Sequence, residues 1–258
     1  MKPHEAIEQA LEASDGPALI AFLTAGYPAS DGFLDILAQV EAASDAVEIG
    51  VPFTDPKADG VTVQRSSHAA LQNGVSLRWI LDRLAERESA PAAPLLLMSY
   101  LNPLLAFGFE ELAVRAREAG VSGFIVPDLP FEESAPFRAC LEPEGLALVQ
   151  LVTPATPTAR LSELCGHSQG FVYAVTRSGT TGGEAELPAE TTHYLRAVKE
   201  RSRVPVCAGF GVRTREQVAR IARHADGVVV GSALVEVLER GDSPGEFLSG
   251  LRPDGISP

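Results

Sequence analysis

The chain has 258 residues, 45% of them hydrophobic, and a formal net charge of −13. That length supplies one large core or two small ones, and the acidic balance argues against nucleic acid and anionic membranes as partners. It leaves anionic small molecules open, because backbone amides alone can build a phosphate pocket.

An amphipathic segment, Glu5–Ala13, precedes the first strand and is expected to cover one end of the fold. Strand candidates follow at Ala18–Thr24 and Ala46–Gly50, with Ser30 between them as the cap of a helix whose apolar face is Phe33, Ile36, Leu37 and Val40. The next strand candidates are Leu95–Ser99 and Gly123–Val126, separated by a helix from Phe109 to Ala119 that Gly120 stops. Pro136 falls near the start of the following helix, where proline is tolerated. Ala147–Leu151, Gly170–Ala174, Val206–Gly209 and Gly227–Val230 complete the strands. Thr214 and Gln217 have the spacing of a capping box before the apolar face of Val218, Ile221 and Ala222.

Most of these strands are apolar on both faces, as parallel strands covered by helices require. Eight strand–helix units in sequence point to a closed barrel: an α/β chain forming a single (β/α)8 TIM barrel over residues 1–258, with an extra N-terminal helix and a frayed tail over 250–258. A doubly wound open sheet is the alternative, but Leu23-Thr-Ala-Gly-Tyr-Pro28 lacks the dinucleotide fingerprint expected after its first strand. The longest loops, Val51–Gly60 and Arg177–Pro188, would both lie on the catalytic face of a barrel.

The stretch Asp45-Ala-Val-Glu-Ile-Gly-Val-Pro-Phe-Thr-Asp-Pro-Lys-Ala-Asp-Gly60 carries the functional argument. Glu48 sits inside an apolar strand, where an acid is costly unless it is paired or useful. Asp59 arrives from the loop that follows, and two acids at one strand exit can divide proton transfer from charge stabilisation. Glycine-rich turns follow the last three strands: Ser178–Gly183, Ala208–Val212 and Val230–Leu234. Turns of this kind bring backbone amides up to an anion, and barrel enzymes often hold phosphate after strands seven and eight.

Only Lys2, Lys57 and Lys199 are lysines, and none lies in a strand candidate, which disfavours a Schiff base. The five histidines form no close pair with metal-ligand spacing, so no metal site is expected. Phe22 and Tyr173, each in a strand, are candidates for a pocket wall, as is Phe210 between two glycines. Cys140, Cys165 and Cys207 are odd in number with no C-x-x-C, and no apolar stretch reaches the length of a membrane span; a reduced, cytoplasmic setting is expected.

Val47-Glu-Ile-Gly-Val-Pro-Phe-Thr-Asp-Pro56, Ala58-Asp-Gly60 with Gln64, and Pro127-Asp-Leu-Pro130 with Glu133 resemble the tryptophan synthase alpha chain family. Leu23–Pro28, Tyr173, Gly179-Thr-Thr-Gly182, Gly209-Phe-Gly211 and Gly231-Ser232 extend the match in order over most of the chain. The resemblance implies a (β/α)8 barrel lyase that cleaves indole-3-glycerol phosphate to indole and glyceraldehyde 3-phosphate. Protonation at indole C3 would make the ring its own electron sink, with no cofactor in this chain. It implies that Glu48 is the general acid–base, that Asp59 stabilises charge at the indole nitrogen, and that Tyr173 positions the substrate. Phe22, Leu97 and Ile125 would line the indole pocket, and Gly182, Gly211, Gly231 and Ser232 would hold phosphate with Phe210 beside it.

The resemblance also implies a beta-chain partner in an α2β2 complex, which carries pyridoxal phosphate and receives the indole. Pro52, Asp55, Pro56, and the Asn102-Pro103 turn resemble the surface that meets it. The loop Arg177–Pro188 resembles a lid, with Thr181 approaching Asp59 on closure. The chain departs from the family at Val61, where proline is usual, at Ser99, near a position where some members place tyrosine, and at Gly183-Glu184 in the lid. A different phosphate-barrel isomerase or epimerase, and a weakly catalytic regulatory barrel, are the rival readings.

Overall fold

The computed structural model describes residues 1–176, 187–209 and 211–253. Its sheet is a closed barrel of eight parallel strands in sequence order: β1 (Ala18–Thr24), β2 (Ala46–Gly50), β3 (Leu95–Met98), β4 (Val121–Ile125), β5 (Ala147–Val152), β6 (Val172–Val175), β7 (Val206–Gly209) and β8 (Gly227–Val230). The helices before the fourth strand are α1 (Pro3–Glu12), α2 (Phe33–Ala43), α3 (Val61–Gln72), α4 (Leu77–Ala85), α5 (Leu101–Phe107) and α6 (Phe109–Glu118). Those after it are α7 (Ala135–Glu144), α8 (Thr158–His167), α9 (Ala189–Lys199), α10 (Arg215–Ile221), α11 (Ser232–Glu239) and α12 (Pro244–Leu251).

Side-chain alternation along each strand builds two separate cores. Leu19, Ala21 and Leu23 of β1 and Val47 and Ile49 of β2 point outward and pack with the helices. Ala18, Ile20, Ala46, Leu96, Ile125, Val149 and Val229 point inward and fill the barrel. Glu48 shares that inward direction, two residues along from Ala46. The register pairs Phe22 with Glu48 across β1 and β2, so an aromatic ring and an acid enter the barrel mouth side by side.

Helix α1 covers the opposite end. Ile7 and Leu11 are buried and join the inner cluster with Phe171, closing the barrel floor away from the mouth. Local signals set other boundaries. The Thr214 hydroxyl accepts from the Gln217 N–H and the Gln217 side chain returns to the cap, the reciprocal box expected at α10. Helix α2 starts later than its expected cap: a turn through Asp31 and Gly32 intervenes, and Ser30 contributes its carbonyl, 3.3 Å from the Phe33 N–H, rather than its hydroxyl. Residues 250–252 of the expected frayed tail are ordered. Helix α12 runs through Gly250 to Leu251, and Arg252 pairs with Asp45 at 3.2 Å; residues 254–258 lie outside the described residues.

Candidate active site

The loop after β2 brings the two carboxylates together. Phe53 donates its N–H to the Ser67 hydroxyl at 2.8 Å, and that hydroxyl donates to the Phe53 carbonyl at 3.1 Å, which pins the loop onto α3. Further along, the Gln64 side chain donates to the Asp59 carbonyl at 2.9 Å, folding the loop back over the mouth. Glu48 and Asp59 then face one cavity of about 270 Å³. Its wall includes Phe22, Met98, Pro127, Leu151, Tyr173, Val175, Thr176 and Val229, with Gly209, Gly211, Gly231 and Ser232 along the side formed after β7 and β8.

Glu48 is 1% exposed, and neither carboxylate oxygen has a hydrogen-bond partner. Burial, reinforced by the nearby charge of Asp59, pushes its pKa up from 4.5 to about 8. At neutral pH the free chain therefore holds Glu48 largely as a neutral acid with a proton to give. Burial also raises the pKa of Asp59, but the Tyr100 hydroxyl donates to its Oδ2 at 2.8 Å and opposes that rise. Two acids in one cavity are thereby held in different environments, the arrangement that separates proton-donating and charge-stabilising roles.

Tyr100 is fixed from several sides. Its oxygen accepts the Ala58 N–H at 2.8 Å, and its ring stacks on Phe53 with centroids 5.0 Å apart. It caps α5, whose first N–H, from Leu101, donates to Asp128 Oδ1 at 2.8 Å. Sequence reasoning does not single out Tyr100 and names only its neighbour Ser99, as a departure near a position where some family members place tyrosine. Ser99 is buried and bonds the Tyr100 carbonyl at 2.9 Å, so the next residue supplies the phenol. Only the fold discloses this contact, because Tyr100 and Asp59 stand 41 positions apart.

Close packing shapes the cavity. A Cβ on Gly209 would sit 2.8 Å from Tyr173 Cε1, and one on Gly50 would sit 2.6 Å from Phe22 Cζ; both rings need a bare backbone beside them. Tyr173 is deep in the barrel, and burial together with the charges of Glu48 and Asp59 raises its pKa well above that of a free phenol, so it acts as a neutral hydroxyl. Gly231 caps α11, and Gly231 and Ser232 bring the start of that helix to the cavity edge, where the N–H groups ahead of Leu234, which bonds back to the Gly231 carbonyl at 2.9 Å, lack intrahelical partners.

Two expected pocket residues sit elsewhere. Leu97 points outward into the helix-packed core, because β3 alternates and its neighbour Met98 takes the place on the cavity wall. Ile125 does face inward but is fully buried in the cluster below the cavity; Pro127 lines the wall above it. Thr181, Gly182 and Phe210 lie outside the described residues, as does most of the expected lid. Of the expected partner surface, Asp55 and Asn102 are exposed and Pro56 and Pro103 are half-buried, whereas Pro52 is buried beneath the pinned loop. Asn102 and Pro103 belong to the first turn of α5 rather than to a free turn.

A family model described as "Tryptophan synthase alpha chain" matches residues 9–248. The tryptophan synthase alpha chain of Nitratidesulfovibrio vulgaris (strain DP4) is 43% identical over 238 residues, covering 92% of this chain and 93% of its own. The chain belongs to the tryptophan synthase alpha chain family. The corresponding protein of Solidesulfovibrio magneticus is 44% identical over 236 residues, covering 91% of this chain and 92% of its own. The solved tryptophan synthase subunit alpha of Legionella pneumophila superposes with a TM-score of 0.87 at 30% identity, covering 98% of this chain and 97% of that one. The activity is accordingly a lyase reaction, cleavage of indole-3-glycerol phosphate to indole and glyceraldehyde 3-phosphate, with indole passed to the beta subunit for tryptophan synthesis.

Proposed function

We propose that Glu48 and Asp59 divide the work of this cleavage. Glu48 in its neutral form delivers a proton to indole C3, and as the resulting carboxylate accepts one from the glycerol hydroxyl while the carbon–carbon bond opens. The electrons of that bond flow into the protonated ring, so no covalent bond to the protein is required. Asp59, kept toward the ionised side by Tyr100, stabilises positive charge as it builds on the indole nitrogen. Tyr173 orients the ring beside Glu48, between Phe22, Met98 and Leu151. The phosphate is held by backbone amides around Gly211, Gly231 and Ser232.

The observation that carries this reading is a fully buried carboxyl group with both oxygens unpartnered, opening onto a cavity that ends in a helix N-terminus. A structural acid in a strand would be paired; this one is left for a ligand. Glu48→Gln in the purified chain is expected to lower indole release by at least ~10²-fold while the fold is retained. Near-normal release would transfer the role to another residue.

The chain works as one barrel domain over residues 1–258. It acts in an α2β2 complex whose beta chain carries pyridoxal phosphate, and exposed Asp55 and Asn102 belong to the surface that meets that chain. No helix among the described residues is long and apolar enough to cross a membrane. Three free cysteines agree with a cytoplasmic location.

A further inference from the structure

The proposed phosphate cradle is made by two segments that are far apart in sequence, the turn at Gly211 after β7 and the start of α11 at Gly231 and Ser232. Neither contributes a cation to the cavity wall among the described residues. An anion held by amides alone depends on how well those amides converge. Something must therefore hold the two segments in register.

Arg213 lies two residues beyond Gly211, and Glu236 lies one turn along α11 from Ser232. Their side chains form a bidentate pair, Nη1 to Oε2 at 2.6 Å and Nη2 to Oε1 at 2.8 Å. The pair directly joins one half of the cradle to the other. Thr62, two residues after Gly60, donates to Glu236 Oε1 at 3.5 Å, the long limit of a hydrogen bond. The same helix is held at its other end, where Glu239 accepts from Arg65 Nε and Nη2 and from the Tyr27 hydroxyl, each at 2.8 Å. Glu239 thus ties α11 to α3 and to the turn after β1, and Glu236 adds the tie to the segment after β7.

We propose that Glu236, through Arg213, is a positioning residue that keeps the two halves of the phosphate cradle converged. The proposal rests on the phosphate assignment above and adds to it a group that touches no substrate. A half-exposed ion pair contributes little to global stability. Its fork geometry fixes distance and angle, so its effect falls on binding of the phosphate end rather than on folding or on proton transfer.

The test uses the full-length chain and indole release from indole-3-glycerol phosphate, with inhibition by each product measured separately. Glyceraldehyde 3-phosphate reports on the cradle, and indole reports on the opposite end of the cavity. Glu236→Gln is expected to raise KM and the glyceraldehyde 3-phosphate inhibition constant together by about fivefold. Indole inhibition should stay unchanged and kcat should stay within about twofold, since uniform binding is what is lost. Exchanging the partners, Arg213→Glu with Glu236→Arg, should bring KM back toward the parent value, which a packing role would not do. Arg83→Ala, which breaks an exposed pair with Glu86 on the α4 side, should leave KM unaltered.

An unchanged KM in Glu236→Gln, a parallel loss of indole binding, or failure of the exchanged pair to restore KM would each overturn the proposal. Ser232→Asp separates this from the phosphate assignment, because it places a carboxylate in the cradle itself. Retained glyceraldehyde 3-phosphate inhibition in Ser232→Asp would remove the assignment and the proposal together. Lost inhibition there, with Glu236→Gln unaffected, would overturn only the tie.

Discussion

At the scale of single residues, the proposed chemistry depends on a carboxyl group that is buried and has no hydrogen-bond partner. Glu48 ionises near 4.5 in the unfolded chain and near 8 in the folded one. Below the lower value both states are protonated and ionisation of Glu48 adds no pH-dependent cost. Between the two values the folded chain retains a proton that the unfolded chain has lost, so stability falls as pH rises through the window and levels off above it. Glu48→Gln removes that dependence. Its melting temperature relative to the parent is expected to climb between about pH 5 and about pH 8, and a constant offset would mean that Glu48 is not buried as an acid. Tyr100 sets the other carboxylate. Removing its hydroxyl in Tyr100→Phe leaves Asp59 without its donor, and kcat/KM is expected to fall about tenfold, as for loss of a hydrogen bond to a charged group. Measurement of kcat/KM over a pH series would also show the Asp59 titration moving upward, since the lost bond opposed the effect of burial.

Residues differed in how legible they were. Glu48 stood out because an acid interrupts a run of apolar strand residues, a pattern that needs no partner to be seen. Leu97 gave no such cue. Four consecutive apolar residues, Leu95 to Met98, carry no mark of which face looks inward, so only the observed alternation moves the wall position to Met98. Tyr100 was hidden because its chemistry comes from a contact between loops.

At the scale of elements, β1, β2, β7 and β8 keep their expected bounds, since a Pro or Asp precedes each and a Gly ends or closely follows each. Boundaries slipped where a strand continued into residues with weak strand character. β4 begins at Val121, before Ser122 and Gly123, because pairing with β3 supplies hydrogen bonds that local propensity does not anticipate. Helix α1 shows how an element can matter for stability and remain remote from chemistry. Ile7 is 0% exposed inside the floor of the barrel, at the end opposite the carboxylates. Ile7→Ala is expected to destabilise the chain by about 2–5 kcal/mol, with KM and kcat nearly unchanged where the variant is folded. Urea unfolding read beside indole release would check both halves, and a large change in kcat would show that the floor and the mouth are coupled.

At the scale of the whole molecule, strand order made the barrel legible, because eight apolar runs alternating with amphipathic segments leave few ways to close a parallel sheet. Depth within the barrel was not legible. Ile125 faces inward as expected yet stops short of the cavity, and the level a side chain reaches depends on strand tilt and stagger, which no local pattern encodes.

The cavity wall carries no lysine, arginine or histidine among its described residues, on a chain with a formal net charge of −13. Most pockets for an anion weaken as ionic strength rises, because salt screens the attraction of their cations. Under the proposed assignment, the phosphate approaches a chain of net negative charge and is held by short-range dipoles that dissolved ions barely reach. Moderate sodium chloride should therefore leave capture of the substrate undiminished or improve it slightly. A steep fall in kcat/KM with salt would reveal a cationic group steering the ligand from somewhere beyond the wall.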